Sequence, residues 1–471
     1  MSVERVLPKT LDYTDVLPLA VESRSRRRTF FPTNGGTFSS GGNNIIRIDL
    51  SADALLDTQH SYLRFDVAMS DAAGALTSGA DPAGGHAFFS RLRVEQSGTI
   101  LEDIQQYNRL MGAVVLPCQE STDANSIRSM TEAQPVAGQV TTGAAGGNTE
   151  ATAAVAANAG SMSLATGNHV NGLDQFPNGA VMTFCIPLTS GLLNCEKLVP
   201  LMLMSAPLTI ELELGDALET TIASGPGNVV SVSNVRYIAN LVEVGGEVSQ
   251  QLRMLQEMSG GVLTLTGQTF RHFGSQLAAG TENTINVPAR VKSMKSVFFN
   301  CRGAQANNEG RVDIGSGTFQ EISSYQFKIG SVTYPPTPVI GPGLAATASV
   351  RKAESLMELE KAWGNVGSRL GMGKFTKNNS FYLNTVIKPD AVAAGGIPTE
   401  NSRPAYAPFG LDMEAFQRVA IESGVNTADR ALPISLLLNH AAAAQASPID
   451  IYVLADALFY INADGSMSVS V

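Results

Sequence analysis

The residues of this 471-residue chain that could do chemistry are its five histidines, its four cysteines and a few glycine-flanked charges. Their spacing decides against most of that chemistry. His60, His86, His169, His272 and His440 never fall at metal-ligand spacing, and none joins a C-x-x-C or H-E-x-x-H pattern. His440 follows an apolar run and reads as a strand-end or buried histidine. Cys118, Cys185, Cys195 and Cys301 show no paired spacing. Cys185 and Cys195 sit in apolar contexts, where free cysteine behaves as a small buried hydrophobe. So few thiols in so long a chain argue against a disulfide scaffold and for a reducing compartment. There is no G-x-S-x-G elbow. Gly367-Ser368-Arg369-Leu370-Gly371-Met372-Gly373-Lys374 invites a phosphate-loop reading, but its first glycine is one residue too far away. Phe375 also stands where a magnesium-binding Ser or Thr is required. Asn462-Ala463-Asp464-Gly465 lacks the downstream bidentate Glu of a calcium loop and reads as a turn. Asn378-Asn379-Ser380 fits a glycosylation pattern, without a visible secretory route to use it. Glu211 and Glu213 share one strand face, not the two sides of a cleft, and read as a solvated face. No catalytic set, metal site or cofactor is therefore expected.

One basic cluster remains: Arg24, Arg26, Arg27 and Arg28. Each could replace a counterion on phosphate, pair with acidic protein or meet anionic lipid. The block is short, and docking onto an acidic neighbouring copy is the favoured reading.

The elements that must carry these residues are strands. The stretch Ala180–Leu214 shows the pattern best. Leu208, Ile210, Leu212 and Leu214 alternate with Thr209, Glu211 and Glu213, which predicts a half-buried strand. Two apolar runs precede it, Val181–Leu188 and Leu198–Met204, separated by a turn at Gly191 and bracketed by prolines. Similar alternation marks Ile46–Leu50, Leu63–Val67, Leu92–Val94, Leu263–Thr266, Tyr325–Ile329 and Met467–Val471. Val297–Phe299, Leu436–Leu438 and Ile449–Phe459 read as buried strands. Helices are expected at Asp103–Met111, Glu247–Met258 and Ala353–Trp363.

Forty-four per cent of the chain is apolar, only 16% is charged, and Gly reaches 45 and Pro 22. That composition fits many short strands and much surface buried against something else. The net charge of −10 and pI of about 5.1 exclude a body that coats nucleic acid. No run of about 18 apolar residues exists to cross a membrane, and the first residues lack the apolar core of a secretory signal. The length calls for two domains. The expected division is an N-terminal arm at 1–30, a first body at 31–245 and a second at 246–471. Residues 118–178 are poor in large apolar side chains and form an insertion in the first body, read equally well as an exposed protrusion or a flexible surface loop.

In this order, the stretches resemble a family. Phe31–Leu50 has a Gly/Ser/Asn lead-in to a first strand. Tyr62–Val67 is followed by FFSRLRVEQSGTILEDIQQYN at Phe88–Asn108. Ser190–Leu214 carries an SGLL start and an L-x-L-x-L end, and Tyr325–Val339 with Glu354–Gly364 carries a Y-P-P-T-P segment and a helix ending in Trp-Gly. Residues 30–471 thus resemble the double jelly-roll major capsid proteins of tailless icosahedral double-stranded DNA viruses, including polinton-like viruses, virophages and large algal viruses. The insertion at 118–178 has no counterpart in that pattern.

The resemblance implies an all-β fold of two consecutive jelly-roll β-sandwiches, with short helices and long loop insertions. It implies a major capsid protein that self-assembles as trimeric, pseudo-hexameric capsomers into an icosahedral shell around a double-stranded DNA genome. Its partners would be further copies of itself, penton and minor capsid proteins. Arg24, Arg26, Arg27 and Arg28 would be inner-face or inter-capsomer contacts, with genome or an internal membrane beneath. Its location would be the virion, assembled inside the host cell. The competing reading is a two-domain β-sandwich carbohydrate-binding or attachment protein, with 118–178 and 388–410 as the binding loops. Against that reading, Trp363 is the only tryptophan and lies on an expected helix face.

Overall fold

The computed structural model describes residues 23–70, 79–80, 84–118, 131, 181–195, 197–215, 221–222, 229–302, 320–343, 353–363, 408–414, 424–444 and 446–471. The glycine-rich stretch 367–374 and almost all of 118–178 and 388–410 lie outside them.

The first group of strands is β1 (Ser23–Phe30), β2 (Thr37–Ser39), β3 (Ile45–Leu50), β4 (Leu55–Ser70), β5 (Gly79–Ala80), β6 (Phe89–Gln96) and β7 (Thr99–Gln105). A helical segment follows, α1 (Tyr107–Arg109) continued by a π-helical turn at Leu110–Val115. Next come β8 (Val181–Ile186), β9 (Val199–Pro200), β10 (Leu208–Leu214), β11 (Thr221–Ile222) and β12 (Val229–Val244). Helix α2 (Gly246–Met258) leads to β13 (Val262–Leu277), β14 (Gly280–Asn286), β15 (Met294–Cys301), β16 (Ile322–Ile329) and β17 (Val332–Ile340). Helix α3 (Ala353–Ala362) precedes β18 (Phe409–Asp412), β19 (Ile434–Ala444), β20 (Ser447–Asn462) and β21 (Met467–Ser470).

Two pairs of antiparallel sheets result. The first pair has the orders β1-β12-β4-β8 and β3-β10-β6-β7; the second has β13-β20-β15-β18 and β14-β19-β16-β17. The pairings are nested in each. β1 meets β12, β3 meets β10, β4 meets β8 and β6 meets β7. Likewise β13 meets β20, β14 meets β19, β15 meets β18 and β16 meets β17. A chain folded into one long hairpin and rolled into two facing sheets is a jelly roll, and here it occurs twice in sequence. A small ribbon, β5 with β11, stands apart.

The alternation of β10 produces its burial. Leu208, Ile210 and Leu212 are fully buried between the first two sheets. Strands β15 and β20 are different, because nearly every residue on both of their faces is buried. Val297, Phe299, Ile451 and Val453 enter the core of the second sandwich. Phe298, Tyr452 and Leu454 turn the other way and join the cluster that fills the first sandwich. Burial on both faces is why these strands read as continuous apolar runs.

Four expectations need correction. Residues 1–30 are not all an arm: Ser23–Phe30 pair in full with β12, from Ser23 opposite Val244 to Phe30 opposite Tyr237, and residues 1–22 lie outside the described residues. The helix expected at Asp103–Met111 begins only at Tyr107. Asp103 and Ile104 sit opposite Arg93 and Leu92 in β7, and Gln106, at φ 50°, turns the chain into α1. Of the run Leu198–Met204 only Val199–Pro200 is strand, with a 3-10 turn at Leu201–Leu203. Glu211 is not solvated but buried, held by Arg47 at 2.7 Å and Arg93 at 3.3 Å across the ladder. Burial works against its charge, yet the two guanidiniums outweigh it and hold the Glu211 carboxyl below the usual range.

Candidate assembly surfaces and the junction between sandwiches

The four arginines fall on the outermost strand of the first sandwich. Strand alternation divides them: Arg24, Arg26 and Arg28 share the face of Phe30, and Arg27 points to the other. Arg26 pairs with Glu243 at 2.8 Å, Arg28 lies 4.8 Å over the Phe30 ring, and Arg27 donates to the Tyr62 hydroxyl at 3.4 Å. All four are exposed. The structure therefore brings them together as a charged sheet edge rather than one basic face. Arginine along an edge also discourages pairing with a second copy of the same edge, because like charges would meet.

The more closely built region is the junction between the sandwiches, which sequence reasoning missed. The turn at Ser190–Leu193 is held by Glu102 of β7, whose carboxylate accepts from the Ser190 hydroxyl, the Gly191 N–H at 2.8 Å and the Leu192 N–H at 3.0 Å. Glu102 is 3% exposed. The turn lies directly on β13. A Cβ on Gly191 would stand 2.7 Å from the Gln268 carbonyl oxygen, and one on Gly267 would stand 2.8 Å from the Gly191 carbonyl carbon. Only glycine on both sides permits this approach of backbones.

Further bonds cross the same seam. Gln96 of β6 donates to the carbonyl of Gly465 at 3.1 Å and accepts from the Met467 N–H at 2.6 Å. The Ser205 N–H reaches the Gly465 carbonyl at 3.1 Å, and Gly465 turns the final hairpin at φ 78°. Tyr452 donates to the Gln106 carbonyl at 3.1 Å; within the second body, Gln256 of α2 donates to the Ile461 carbonyl at 3.0 Å. Beside Tyr452, Asp450 accepts from His272 at 2.8 Å and from the Arg302 guanidinium. Burial pushes the Asp450 carboxyl up, but these bonds outweigh it and hold the group well below the usual carboxylate range. The only sequence signals were the Gly191 turn and the hairpin at 462–465; Glu102, Gln96 and Gly267 look ordinary in their own strands.

Exposed apolar side chains mark other surfaces. Met254, Leu255 and Met258 of α2 are 61%, 52% and 86% exposed. Beside them runs an open groove of about 710 Å³, lined by Leu255, Val262, Leu263, Tyr460 and Lys197. Val181 on edge strand β8 and Val332 and Ile340 on edge strand β17 are also exposed. Single exposed apolar residues are ordinary; the three grouped on α2 are the ones that stand out.

The residues weighed for chemistry are dispersed. His440 of β19 is buried, with Nδ1 bonded to the Gln320 carbonyl at 2.7 Å and Nε2 facing Asn283 at 3.2 Å. His86 meets the Tyr107 hydroxyl at 3.2 Å. The four cysteines are unpaired thiols. Among the described residues no three His, Cys, Asp or Glu side chains cluster to hold a metal ion, and no helix is long and apolar enough to cross a membrane.

No protein-family model and no curated protein matches this sequence. Solved structures do match in fold. The Faustovirus major capsid protein aligns over 96% of this chain and 92% of its own, with a TM-score of 0.60 at 8% identity. A chain of the Sputnik virophage aligns over 100% and 93%, with a TM-score of 0.57 at 12% identity. The VP54 protein of PBCV-1, fitted into a reconstruction of the virophage Sputnik, aligns over 98% and 99%, with a TM-score of 0.50 at 10% identity. Both jelly rolls and their order are shared across those lengths, so this chain has the double jelly-roll fold of viral major capsid proteins.

Proposed function

We propose that this protein is a major capsid protein. It self-assembles as trimeric, pseudo-hexameric capsomers into an icosahedral shell around a double-stranded DNA genome. The observation that carries this reading is the tandem of two jelly rolls, similar over nearly the whole chain to capsid proteins. The junction supports it mechanically. Two sandwiches sharing one apolar cluster and a glycine-to-glycine contact act as a single rigid tile, and a rigid tile transmits contacts from one edge of a capsomer to the other. The function needs no catalytic step; its chemistry is association. Obligate interfaces of this kind bury roughly 2,000–5,000 Å² per contact. The exposed apolar residues of α2, β8 and β17 contribute a small apolar part of such surface. Penton and minor capsid proteins would complete the shell, and the arginine edge of β1 would meet an acidic neighbouring copy or an anionic surface inside it.

The test is mass and shape in solution. Light scattering should give three copies of 49.5 kDa, about 150 kDa, and negative-stain images a hexagonal outline or closed shells. A monomer that assembles in no buffer would overturn the reading and turn attention to glycan binding. In the same assay, Arg24→Glu with Arg27→Glu should leave the trimer intact and weaken association between trimers. Unchanged shells would remove the edge from the assembly contacts.

A further inference from the structure

Lys295, Asp456 and Glu414 meet on the second sandwich. Three neighbouring strands bring them together, in the order β20, β15, β18. Lys295 is on the middle strand, Asp456 on one side, and Glu414 just beyond the end of β18 on the other. The β15–β20 register shifts between Met294 and Ser296, so Lys295 is the extra residue of a bulge, a device that re-aims a side chain. Its ammonium lies 2.8 Å from Glu414 Oε1 and 3.7 Å from Asp456 Oδ1. The three side chains are 11%, 9% and 5% exposed, in the order Lys295, Glu414, Asp456. Ser293 donates to the other oxygen of Asp456, Oδ2, at 2.6 Å. The backbone holds the set in place: Met413 N–H bonds the Lys295 carbonyl at 2.8 Å, and Asp456 N–H bonds the Ser293 carbonyl at 3.1 Å.

An amine, a carboxyl acceptor and a second carboxylate to carry protons, fixed together with little water, are the parts of an amide condensation. We propose that Lys295 and Asp456 join in an intramolecular isopeptide bond, with Glu414 as the proton carrier. Glu414 takes a proton from the Lys295 ammonium and frees its lone pair. The amine attacks Cγ of Asp456, and Ser293 hydrogen-bonds the oxygen on which charge develops. Glu414 hands that first proton to Oδ1 and then carries a second, from the attacking nitrogen, to the same oxygen, so that Oδ1 holds both and leaves as water. One C–N bond forms, one C–O bond breaks, and an ammonium and a carboxylate become an amide and one water. No oxidant, reductant or metal takes part. Fixing the reactants on adjacent strands replaces the concentration such a reaction would otherwise need. Burial pushes the Asp456 carboxyl up, which favours the protonated acid that an amine can attack. The closeness of Glu414 to the amine suits a proton carrier, and its place beyond the strand end leaves the paired carboxyl of Asp456 as the acceptor. The bond would tie β15 to β20, the strand that also forms the seam with the first sandwich.

The experiment is the intact mass of the purified full-length chain under denaturing conditions, followed by tryptic mapping. The expected mass is one water below that of the sequence. The peptide beginning at Ala431, which holds no Lys or Arg through Val471, should appear joined to the peptide that contains Lys295. Glu414→Gln should restore the full mass. A wild-type mass equal to that of the sequence after long incubation of folded protein would overturn the proposal, whether or not any variant folds. A bond mapped to Glu414 instead of Asp456, or a bond that survives Glu414→Gln, would overturn the assignment of roles.

Discussion

Replacing Gly267 by alanine tests whether the sandwiches are truly seated on each other. The added methyl would stand 2.8 Å from the Gly191 carbonyl carbon and closer still to its oxygen. Carbon atoms in ordinary contact are about 3.5–4.0 Å apart, so the deficit is near 1 Å. Both sides are backbone, so no side-chain rotation relieves it. Either β13 leaves its ladder with β20, or the Ser190–Leu193 turn leaves the Glu102 carboxylate. Overpacking by one methyl costs about 1–3 kcal/mol, and a clash against fixed backbone belongs at the upper end. About 3 kcal/mol corresponds to a urea midpoint lower by roughly 1 M. The assay is urea unfolding followed by fluorescence of Trp363, which packs 6.4 Å from Phe270 on the same strand. Gly36→Ala is the control, since a Cβ there meets nothing within 4 Å. Gly191→Ala should cost a similar amount. The double variant should cost less than the sum, because one methyl already parts the two backbones. A midpoint for Gly267→Ala no lower than for the control would refute the contact as described.

Two further outcomes follow from buried polar groups. Glu102→Ala leaves the Ser190 hydroxyl and two backbone N–H groups without their acceptor and should cost about 3 kcal/mol or more in urea unfolding, whereas an unchanged midpoint would show that water replaces the carboxylate at no cost. His440 gives a pH dependence: burial lowers its pKa against the partial opposition of the Gln320 carbonyl and Glu321. The unfolded chain therefore binds the proton first, so this contribution is complete above about pH 6.5 and is lost as pH falls, at up to about 1.4 kcal/mol per pH unit. The urea midpoint of His440→Gln should fall less steeply than wild type between pH 7 and 5; parallel slopes would exclude His440 as the source.

Strands whose two faces differ are legible in the sequence alone. Alternation such as Leu208, Ile210 and Leu212 against Thr209, Glu211 and Glu213 is a local property, because successive side chains point to opposite sides. The final hairpin was equally legible, since Gly465 must adopt a positive φ there. The order of these stretches resembles the double jelly-roll capsid proteins, and two jelly rolls are what that resemblance implies. Partnership across distance emerges only once the chain is folded. Glu211 looked solvated because its alternation is correct, and it is buried because Arg47 and Arg93 arrive from strands far away in sequence. Ser23–Phe30 looked like an arm because an exposed edge strand has little apolar content, and it is a strand because β12 supplies its hydrogen bonds. Beyond the turn at Gly191, neither the seam with Gly267 nor the trio of Lys295, Asp456 and Glu414 carries a local signal. Their meaning lies in which backbones approach each other, and that is fixed only when β13, β15 and β20 take their places between the two cores.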